Sequence, residues 1–231
     1  MSRALAIKRP LRDKVALPFS LALAAAALSA CAGPPPREYV LGTTAAVAPN
    51  ATAQAGSPVV QVERVVLPDY LDTRDIVTRR DREVVASETG RWAERLSLGA
   101  TRLLAASLAT RLSGVTVTST QPIDPPVLRV MVYVLSFDVV QDGPVVLTAR
   151  WTITDGTGQK SLATVQATLR ESVAGTRDSA VVAAMSLALD KLANRISAGV
   201  EPNLAYGRQP RMALLPAATG RESPSDRNEG D

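Results

Sequence analysis

Apolar residues alternate or cluster in short runs through the middle of the chain, a pattern typical of β-strands. The first run covers 59–67, is rich in valine and is stopped by Pro68. Two shorter extended pieces are predicted at 76–79 and 83–86, on either side of the charged turn at 80–82. Valine-rich runs bounded by proline or by charged turns indicate strands, so three strands are expected here.

The apolar period changes to that of a helix at Arg91. An amphipathic helix is predicted from there to just before Gly114, and a second one from about Asp178 to Ala198. The first carries one stripe of Trp92, Leu96, Ala100, Leu103, Ser107 and Arg111, with Leu104, Leu108 and Leu112 beside it. The second has Val181 or Val182, Met185, Leu189, Leu192 and Ile196 at helical spacing.

Further strands are predicted between the helices. Val115 and Val117 begin one, and three longer runs follow at 127–140, 145–154 and 162–171. Asp142-Gly143 and the segment 155–158 separate these runs and favour hairpin turns, so the three runs should form a meander. The predicted fold class is α+β, an antiparallel β-sheet with two amphipathic helices packed on one face.

The first thirty residues have the pattern of a secretion signal. A basic stretch precedes an apolar run from Val15 to Ala27, which is short for a membrane span. It ends in Leu28-Ser29-Ala30-Cys31, which resembles the lipobox of bacterial lipoproteins, where the signal peptidase reads residues 28–30 and Cys31 carries the lipid. The alternative is an ordinary secretory signal with a chance cysteine. Ala32, where retained lipoproteins often have Asp, favours the outer membrane, with the protein facing the periplasm.

Composition divides the remainder into three parts. Residues 31–57 hold the lipidated Cys31, three consecutive prolines and an Ala/Thr/Gly-rich stretch, as expected of a flexible tether. Residues 58–200 are regularly patterned and form one domain by size. Residues 201–231 lack periodicity, and we expect a disordered tail.

Charge and residue content exclude several functions. Five of the 26 basic residues and one of the 22 acidic residues precede residue 15, which leaves 21 of each in the mature chain and argues against nucleic-acid binding. The chain has no His, so Ser-His and Cys-His catalysis and histidine metal sites are excluded. We therefore predict no enzyme, no cofactor and no metal site. Cys31 is the single cysteine, so no disulfide forms within the chain.

Two weaker chemical motifs remain. Carboxylates at Asp69, Asp72, Asp75 and Glu94 could supply a hydrolytic pair, although nearby arginines favour structural ion pairs. The segment 156–161 resembles a phosphate-binding loop, but Gln159 replaces the glycine required before the lysine, and strands flank it on both sides. A hairpin turn is the simpler interpretation.

Two blocks carry a resemblance to a known family. They are Val62 to Arg79, containing Leu-Pro-Asp-Tyr-Leu-Asp, and Arg91-Trp92-Ala93-Glu94-Arg95-Leu96, with Tyr39-Val40-Leu41 ahead of them. Together they resemble the ABC-type transport auxiliary lipoprotein family over roughly residues 31–200. The sequence departs from that pattern at Glu38, where members often carry a second tyrosine, and near Arg74, where they often carry a proline.

The resemblance implies a non-enzymatic lipoprotein subunit of an intermembrane lipid transport system. Its implied partners are the membrane, through the lipid anchor, a protein with an MCE (mammalian-cell-entry) domain, inner-membrane ABC-type or Pqi-type permease components, other copies in a homo-oligomeric ring, and lipid. Such a subunit docks the periplasmic conduit at the outer membrane and supports envelope integrity. The candidate assembly or partner contacts are Tyr39, Leu41, Pro68, Tyr70, Leu71, Asp72, Arg91, Trp92 and Glu94.

Several alternatives stay open on the residues. Trp92 is either a core anchor between helix and sheet or a contact to a subunit or lipid. Arg91 and Glu94 are expected in the first helical turn, where Glu is favoured and Arg is not. Tyr39 and Leu41 are linker residues, an edge strand or a contact to a neighbour. The alternative function is a stand-alone lipoprotein that binds a hydrophobic ligand or acts on cell wall.

Overall fold

The computed structural model describes residues 34–42, 56–140 and 143–207. In these ranges the chain forms eight strands and two helices. Their order is β1 (Arg37–Tyr39), β2 (Val59–Val62), β3 (Asp75–Arg80), β4 (Glu83–Trp92), α1 (Leu96–Arg111), β5 (Thr116–Thr118), β6 (Leu128–Val140), β7 (Val145–Asp155), β8 (Ser161–Glu171) and α2 (Asp178–Gly207). The α+β class is confirmed.

The predicted meander is present. β6 pairs antiparallel with β7, and β7 pairs antiparallel with β8. The second turn is stabilised locally, because Asp155 Oδ1 accepts a hydrogen bond from the Gln159 amide at 3.1 Å and Gly158 takes a φ of 75° that favours glycine. The segment 156–161 is thus a hairpin connection, and Asp142 of the first turn lies outside the described residues.

The rest of the sheet corrects the prediction of a purely antiparallel arrangement. Four of the seven strand pairings are parallel: β1–β4, β2–β5, β2–β6 and β3–β6. β2 and β3 follow one another along the same edge of β6. Between them, Val66 forms an isolated parallel β-bridge with Tyr133 of β6. Alternation along a strand reports which of its faces is buried but carries no information on the direction of a distant partner strand.

Both helices pack on the buried face of this sheet. Along β7, Leu147, Ala149, Trp151 and Ile153 alternate with more exposed residues, and they join one core with apolar residues of α1 and α2. A polar bridge fastens the helices to each other, since Arg111 of α1 lies 2.7 Å from Asp190 of α2. The expectation of two helices on one face is met by this burial pattern.

Helix and domain boundaries differ from the predicted ones. α1 begins at Leu96, because Arg91 and Trp92 complete β4 and pair in register with β1. Trp92, Arg91 and Glu94 are therefore not in the first helical turn. α2 continues to Gly207, so the start of the predicted tail is helical, and residues 208–231 lie outside the described residues.

The predicted tether is interrupted by structure. β1 pairs in parallel with β4, and Leu41 just after it is 2% exposed in the core. The Gly42 amide also donates a hydrogen bond to Ser186 Oγ at 3.0 Å. Residues 37–42 are thus part of the domain, and the alternative of an edge strand is the one observed. The signal segment, Leu28, Ser29, Ala30 and Cys31 lie outside the described residues.

Candidate functional site

The two family-like blocks meet at the start of α1. The first block turns sharply, because the amides of Leu71 and Asp72 both donate to the carbonyl of Pro68, at 2.9 and 3.1 Å. The turn leads the chain to the second block, where the Trp92 amide donates to the carbonyl of Arg74 at 2.6 Å. Segments about twenty residues apart in sequence are thereby joined through main-chain hydrogen bonds.

Asp72 acts as a helix cap supplied from outside the helix. Its Oδ1 accepts a hydrogen bond from the Ser97 amide at 3.0 Å, one of the amides that α1 cannot satisfy internally. The residue at the helix boundary itself, Arg95, makes no side-chain cap. Arg95 instead donates from Nε and Nη2 to the carbonyl oxygen of Asp72, at 3.1 and 2.9 Å. Asp72 therefore fixes the loop and the helix start relative to each other.

The charge of Asp72 is stabilised by its surroundings. Burial would by itself raise its pKa, but the Ser97 hydrogen bonds and the positive charges of Arg95 and Arg64 outweigh that effect. The net result is a pKa below the ordinary value of 3.8. Asp72 Oδ2 lies 3.5 Å from Arg95 Nε and 3.7 Å from Arg64 Nη2. This carboxylate is an anion with structural partners.

Tyr70 reaches a buried acid on the central strand. Its hydroxyl donates to the carboxylate of Asp138, with oxygen distances of 3.1 and 3.3 Å, and Arg79 Nη2 lies 3.3 Å from Asp138 Oδ2. Asp138 is 1% exposed, so these contacts replace its lost hydration. Burial, followed by the Asp138 charge, raises the pKa of Tyr70 to about 12. The phenol stays protonated and remains a donor at neutral pH.

The two departures from the family pattern contact each other. Glu38 Oε1 on β1 lies 3.1 Å from Arg74 Nη2 and 2.8 Å from Arg91 Nη2. Because the loop residue Arg74 and the β4 residue Arg91 share this one carboxylate, the ion pairs tie β1 to both neighbouring segments. Arg91, for which sequence offered no partner, is held in this way.

Three of the candidate contact residues are core residues. Leu41, Leu71 and Trp92 are each at most 2% exposed. Their side chains are covered by the domain itself, which favours the core interpretation of Trp92. Tyr39 is half-buried beside Gly90, where an added Cβ would lie 2.9 Å from the tyrosine ring.

The exposed part of this region is polar and arginine-rich. We call it the β1 surface and define it by Arg37, Glu38, Val40, Arg74, Arg91, Arg95 and Leu98, which are all exposed. Glu94 pairs with Arg102 at 2.6 Å on its border, and Pro68 is half-buried in the adjoining turn. Seven of the nine candidate residues lie in β1, in β4 or in the 68–72 turn, so the structure brings the predicted set together.

Sequence reasoning missed three residues of this arrangement. The Ser97 amide donates to the Asp72 side chain, and Arg95 donates to the main-chain carbonyl of Asp72. No sequence pattern around Ser97 or Arg95 indicates a partner more than twenty residues away. Asp138 had a usable signal, since it is a lone acid inside the apolar run 127–140. A charge in such a run must be paired when buried, so a partner could have been expected.

The four carboxylates considered for a hydrolytic pair are either ion-paired or exposed in the structure. Asp72 and Glu94 are occupied by ion pairs with arginines, while Asp69 and Asp75 are exposed. Those ranges hold no group of three or more His, Cys, Asp or Glu residues placed to bind a metal ion. In the same part of the chain, no helix combines the length and the apolar character needed to cross a membrane.

Sequence comparison finds relatives among intermembrane transport lipoproteins. The chain is 32% identical over 103 residues to the intermembrane transport lipoprotein PqiC of Escherichia coli (strain K12) and to that of Shigella flexneri. The match covers 44% of this chain and 54% of each relative, so the chain spans about half the length of these curated relatives.

Two crystal structures share the fold at low sequence identity. One, of an uncharacterized protein, is 21% identical with a TM-score of 0.61 and covers 72% of this chain and 99% of that one. The other, a protein from Xanthomonas campestris, is 14% identical with a TM-score of 0.56 and covers 76% and 98%. The model of the ABC-type transport auxiliary lipoprotein component matches residues 39–197, which include the last residue of β1, all of β2 to β8, all of α1 and most of α2. The chain therefore belongs to the ABC-type transport auxiliary lipoprotein family.

Proposed function

We propose that this protein is a lipid-anchored, non-enzymatic subunit of an intermembrane lipid transport system that docks the periplasmic conduit at the outer membrane. The observation that carries the proposal is the family match across residues 39–197, to which the similarity to PqiC adds an intermembrane transport lipoprotein as a relative. The family is one of transport auxiliary lipoproteins and not of enzymes. The absence of His and the ion-paired carboxylates are consistent with a binding role.

The anchor in this proposal is a lipid on Cys31. A thiol that carries acyl chains gains about 0.8 kcal/mol of membrane affinity per buried CH₂, and more than one chain makes attachment stable. Intact-mass analysis of the membrane-extracted protein should show an acylated Cys31 as the first residue, and Cys31→Ala should abolish acylation. An unmodified Cys31 in the mature protein would remove the anchor from the proposal.

The proposed protein partners are an MCE-domain protein, linked to inner-membrane ABC-type or Pqi-type permease components, and further copies of this lipoprotein. The buried candidates, Leu41, Leu71 and Trp92, are replaced as contacts by exposed neighbours on the same segments. Val40 and Asp69 are suitable, and the helix-free face of the sheet offers Tyr133, which is 40% exposed. These three positions sample different sides of the domain.

In vivo photocrosslinking from these positions tests the docking role. We expect at least one of them to capture an MCE-domain protein or a second copy of this chain, while Ser113, in the exposed turn after α1, serves as the matched position where little capture is expected. Capture of neither partner from any position, with the folded protein present in the outer membrane, would contradict docking and favour the ligand-binding alternative.

A further inference from the structure

The proposed anchor enters the fold at β1. Arg37, the first residue of β1, follows Cys31 by six residues, and Pro34, Pro35 and Pro36 fill half of that interval. Six residues span about 20 Å at full extension. β1 is held in the domain by its pairing with β4 and by the ion pairs of Glu38. The long stretch 43–55 follows β1 in sequence, so it does not lengthen the connection between Cys31 and the domain. Any lipid on Cys31 therefore holds the β1 surface close to the membrane.

The opposite end of the sheet lies far from this attachment point. The strand order runs from β1 through β4, β3 and β6, and then on to β7 and β8. A domain of about 160 residues has a radius of gyration of about 15 Å, which corresponds to a sphere of about 19 Å radius, so half its circumference is roughly 60 Å. A connection of about 20 Å cannot wrap that far, and β8 must therefore point away from the membrane or sideways.

The β1 surface has the chemistry to contact phosphate groups. Glu38 is shared by Arg74 and Arg91, and Asp72 by Arg64 and Arg95, so each carboxylate leaves one guanidinium charge uncompensated. Arg37 adds another at the point where the chain arrives. The positive excess is modest, since the exposed Asp69 lies in the adjoining turn and the exposed Asp75 begins β3. Guanidinium groups nevertheless bind phosphate through paired hydrogen bonds.

Two exposed apolar side chains accompany these arginines. Val40 follows β1 directly and is 47% exposed, and Leu98 in the first turn of α1 is 43% exposed. Leu98 lies three residues after Arg95 and four before Arg102, so the three share one side of the helix. Arginine beside short apolar residues suits the headgroup layer, where guanidinium groups meet phosphates and apolar groups reach the acyl boundary.

We propose that the β1 surface lies flat on an anionic phospholipid surface, with its arginines on lipid phosphates, so that the domain is held in one orientation. The proposal depends on the lipid anchor at Cys31 for its geometry. It leaves the helix-free sheet face and β8 for protein partners. Of the crosslinking positions named above, Val40 then faces lipid and Tyr133 faces protein.

Vesicle binding of the mature chain without its lipid tests the surface chemistry independently of the anchor. Vesicles of phosphatidylcholine with about one-third phosphatidylglycerol should bind the chain more strongly than phosphatidylcholine alone. Arg37→Gln combined with Arg91→Gln should lower this binding on the order of fivefold per arginine, while Arg74 still holds Glu38. Arg150→Gln combined with Arg170→Gln is the control, since it removes the same charge from exposed positions on β7 and β8.

Two results would overturn the proposal at this step. One is equal binding to both vesicle types, and the other is equal loss in the control and test variants, which would show a response to net charge only. A loss confined to the test variant supports it. Mass analysis of the native protein reports only whether Cys31 is acylated, whereas vesicle binding of the unlipidated chain reports only the headgroup contact. A missing anchor and a missing headgroup contact are therefore distinguishable.

The lipidated protein reports the orientation directly. Because acylation consumes the single native thiol, Leu98→Cys or Val165→Cys introduces one site for a fluorophore. Val165 on β8 is 44% exposed, which matches Leu98 closely. Headgroup-nitroxide lipids should quench the label at 98 several-fold more than the label at 165. Equal quenching at both positions, or stronger quenching at 165, would overturn the assigned orientation.

Discussion

The two ends of the sheet are built in different ways. The meander, β6 to β8, is an antiparallel ladder with one register shift in each pairing, and its neighbouring strands are consecutive in sequence. The β1 region, which comprises β1, β4, the loop 67–74 and the start of α1, is joined by a short parallel pairing, a remote helix cap and shared ion pairs. The meander is thus specified by local patterns and the β1 region by contacts between distant segments, so mutations should affect the two ends differently.

The two tryptophans provide the largest test of this comparison. Trp92 in the β1 region and Trp151 in the meander are each 2% exposed, and replacement of a buried Trp by Ala typically costs about 3–5 kcal/mol of unfolding free energy. We expect both variants to lose stability in this range in urea unfolding. Hydrogen exchange should show Trp92→Ala loosening β1 first. If hydrogen exchange in β8 increased as much as in β1 in that variant, the idea that the two ends of the sheet are specified separately would be wrong.

The next largest loss of stability is expected when the buried acid Asp138 loses a hydrogen-bond partner. Tyr70→Phe removes one of its hydrogen bonds and should cost about 1–3 kcal/mol, because the carboxylate stays buried with Arg79 as its remaining charged partner. Lys191→Met, at the buried Glu171 that Lys191 pairs at 2.8 Å, is the matched variant at the meander. An unchanged urea midpoint for Tyr70→Phe would show that the hydroxyl contributes nothing.

The pKa of Tyr70 adds a prediction on pH. Its folded value of about 12 exceeds the ordinary 10.0, so the folded state holds this proton more tightly. The associated stability is complete below pH 10 and is lost as the pH rises from 10 towards 12. Ultraviolet titration of the wild type and of Tyr70→Phe should assign the late phenolate signal to this residue.

Asp72→Asn should have an intermediate effect. It weakens the α1 cap and both ion pairs, and loss of a cap costs about 0.5–2 kcal/mol. Asp155→Asn, which weakens the local cap of the β7–β8 turn, is the control in the meander. Helix loosening at 96–100, measured by hydrogen exchange, should follow from the first variant and not from the second.

The depressed pKa of Asp72 makes this difference depend on pH. Its contribution is present above the ordinary value of 3.8 and is lost as the pH falls through the lower folded value. The stability gap between the wild type and Asp72→Asn should therefore narrow below about pH 4. A gap that stays constant down to pH 2 would show that the charge of Asp72 is unimportant.

Glu38→Gln should give the smallest change in global stability. Its ion pairs with Arg74 and Arg91 are about half-exposed, and exposed pairs contribute at most about 1 kcal/mol. The local effect should be larger, with faster hydrogen exchange at 37–42 because β1 loses its charged clamp. Unchanged exchange there would mean that main-chain pairing and Leu41 suffice to hold β1.

The sequence by itself determined the elements whose contacts are local. Alternation and turn residues located β6, β7 and β8, the β3–β4 turn and the α+β class, because hairpins join neighbours through residues that favour one backbone conformation. Helical periodicity located α1 and α2, although their ends were displaced by several residues. The two family-like blocks identified the family, which the match over residues 39–197 confirms.

Only the tertiary structure decided how distant segments combine. The parallel pairings of β1, β2 and β3, the capping of α1 by Asp72 and the burial of Leu41 all depend on segments brought together by the fold. Helical spacing placed Trp92 on α1, whereas pairing of β4 with β1 keeps it in a strand. Side-chain pattern along a segment encodes its period and its buried face, while the choice of partner is made by packing and hydrogen bonding between segments.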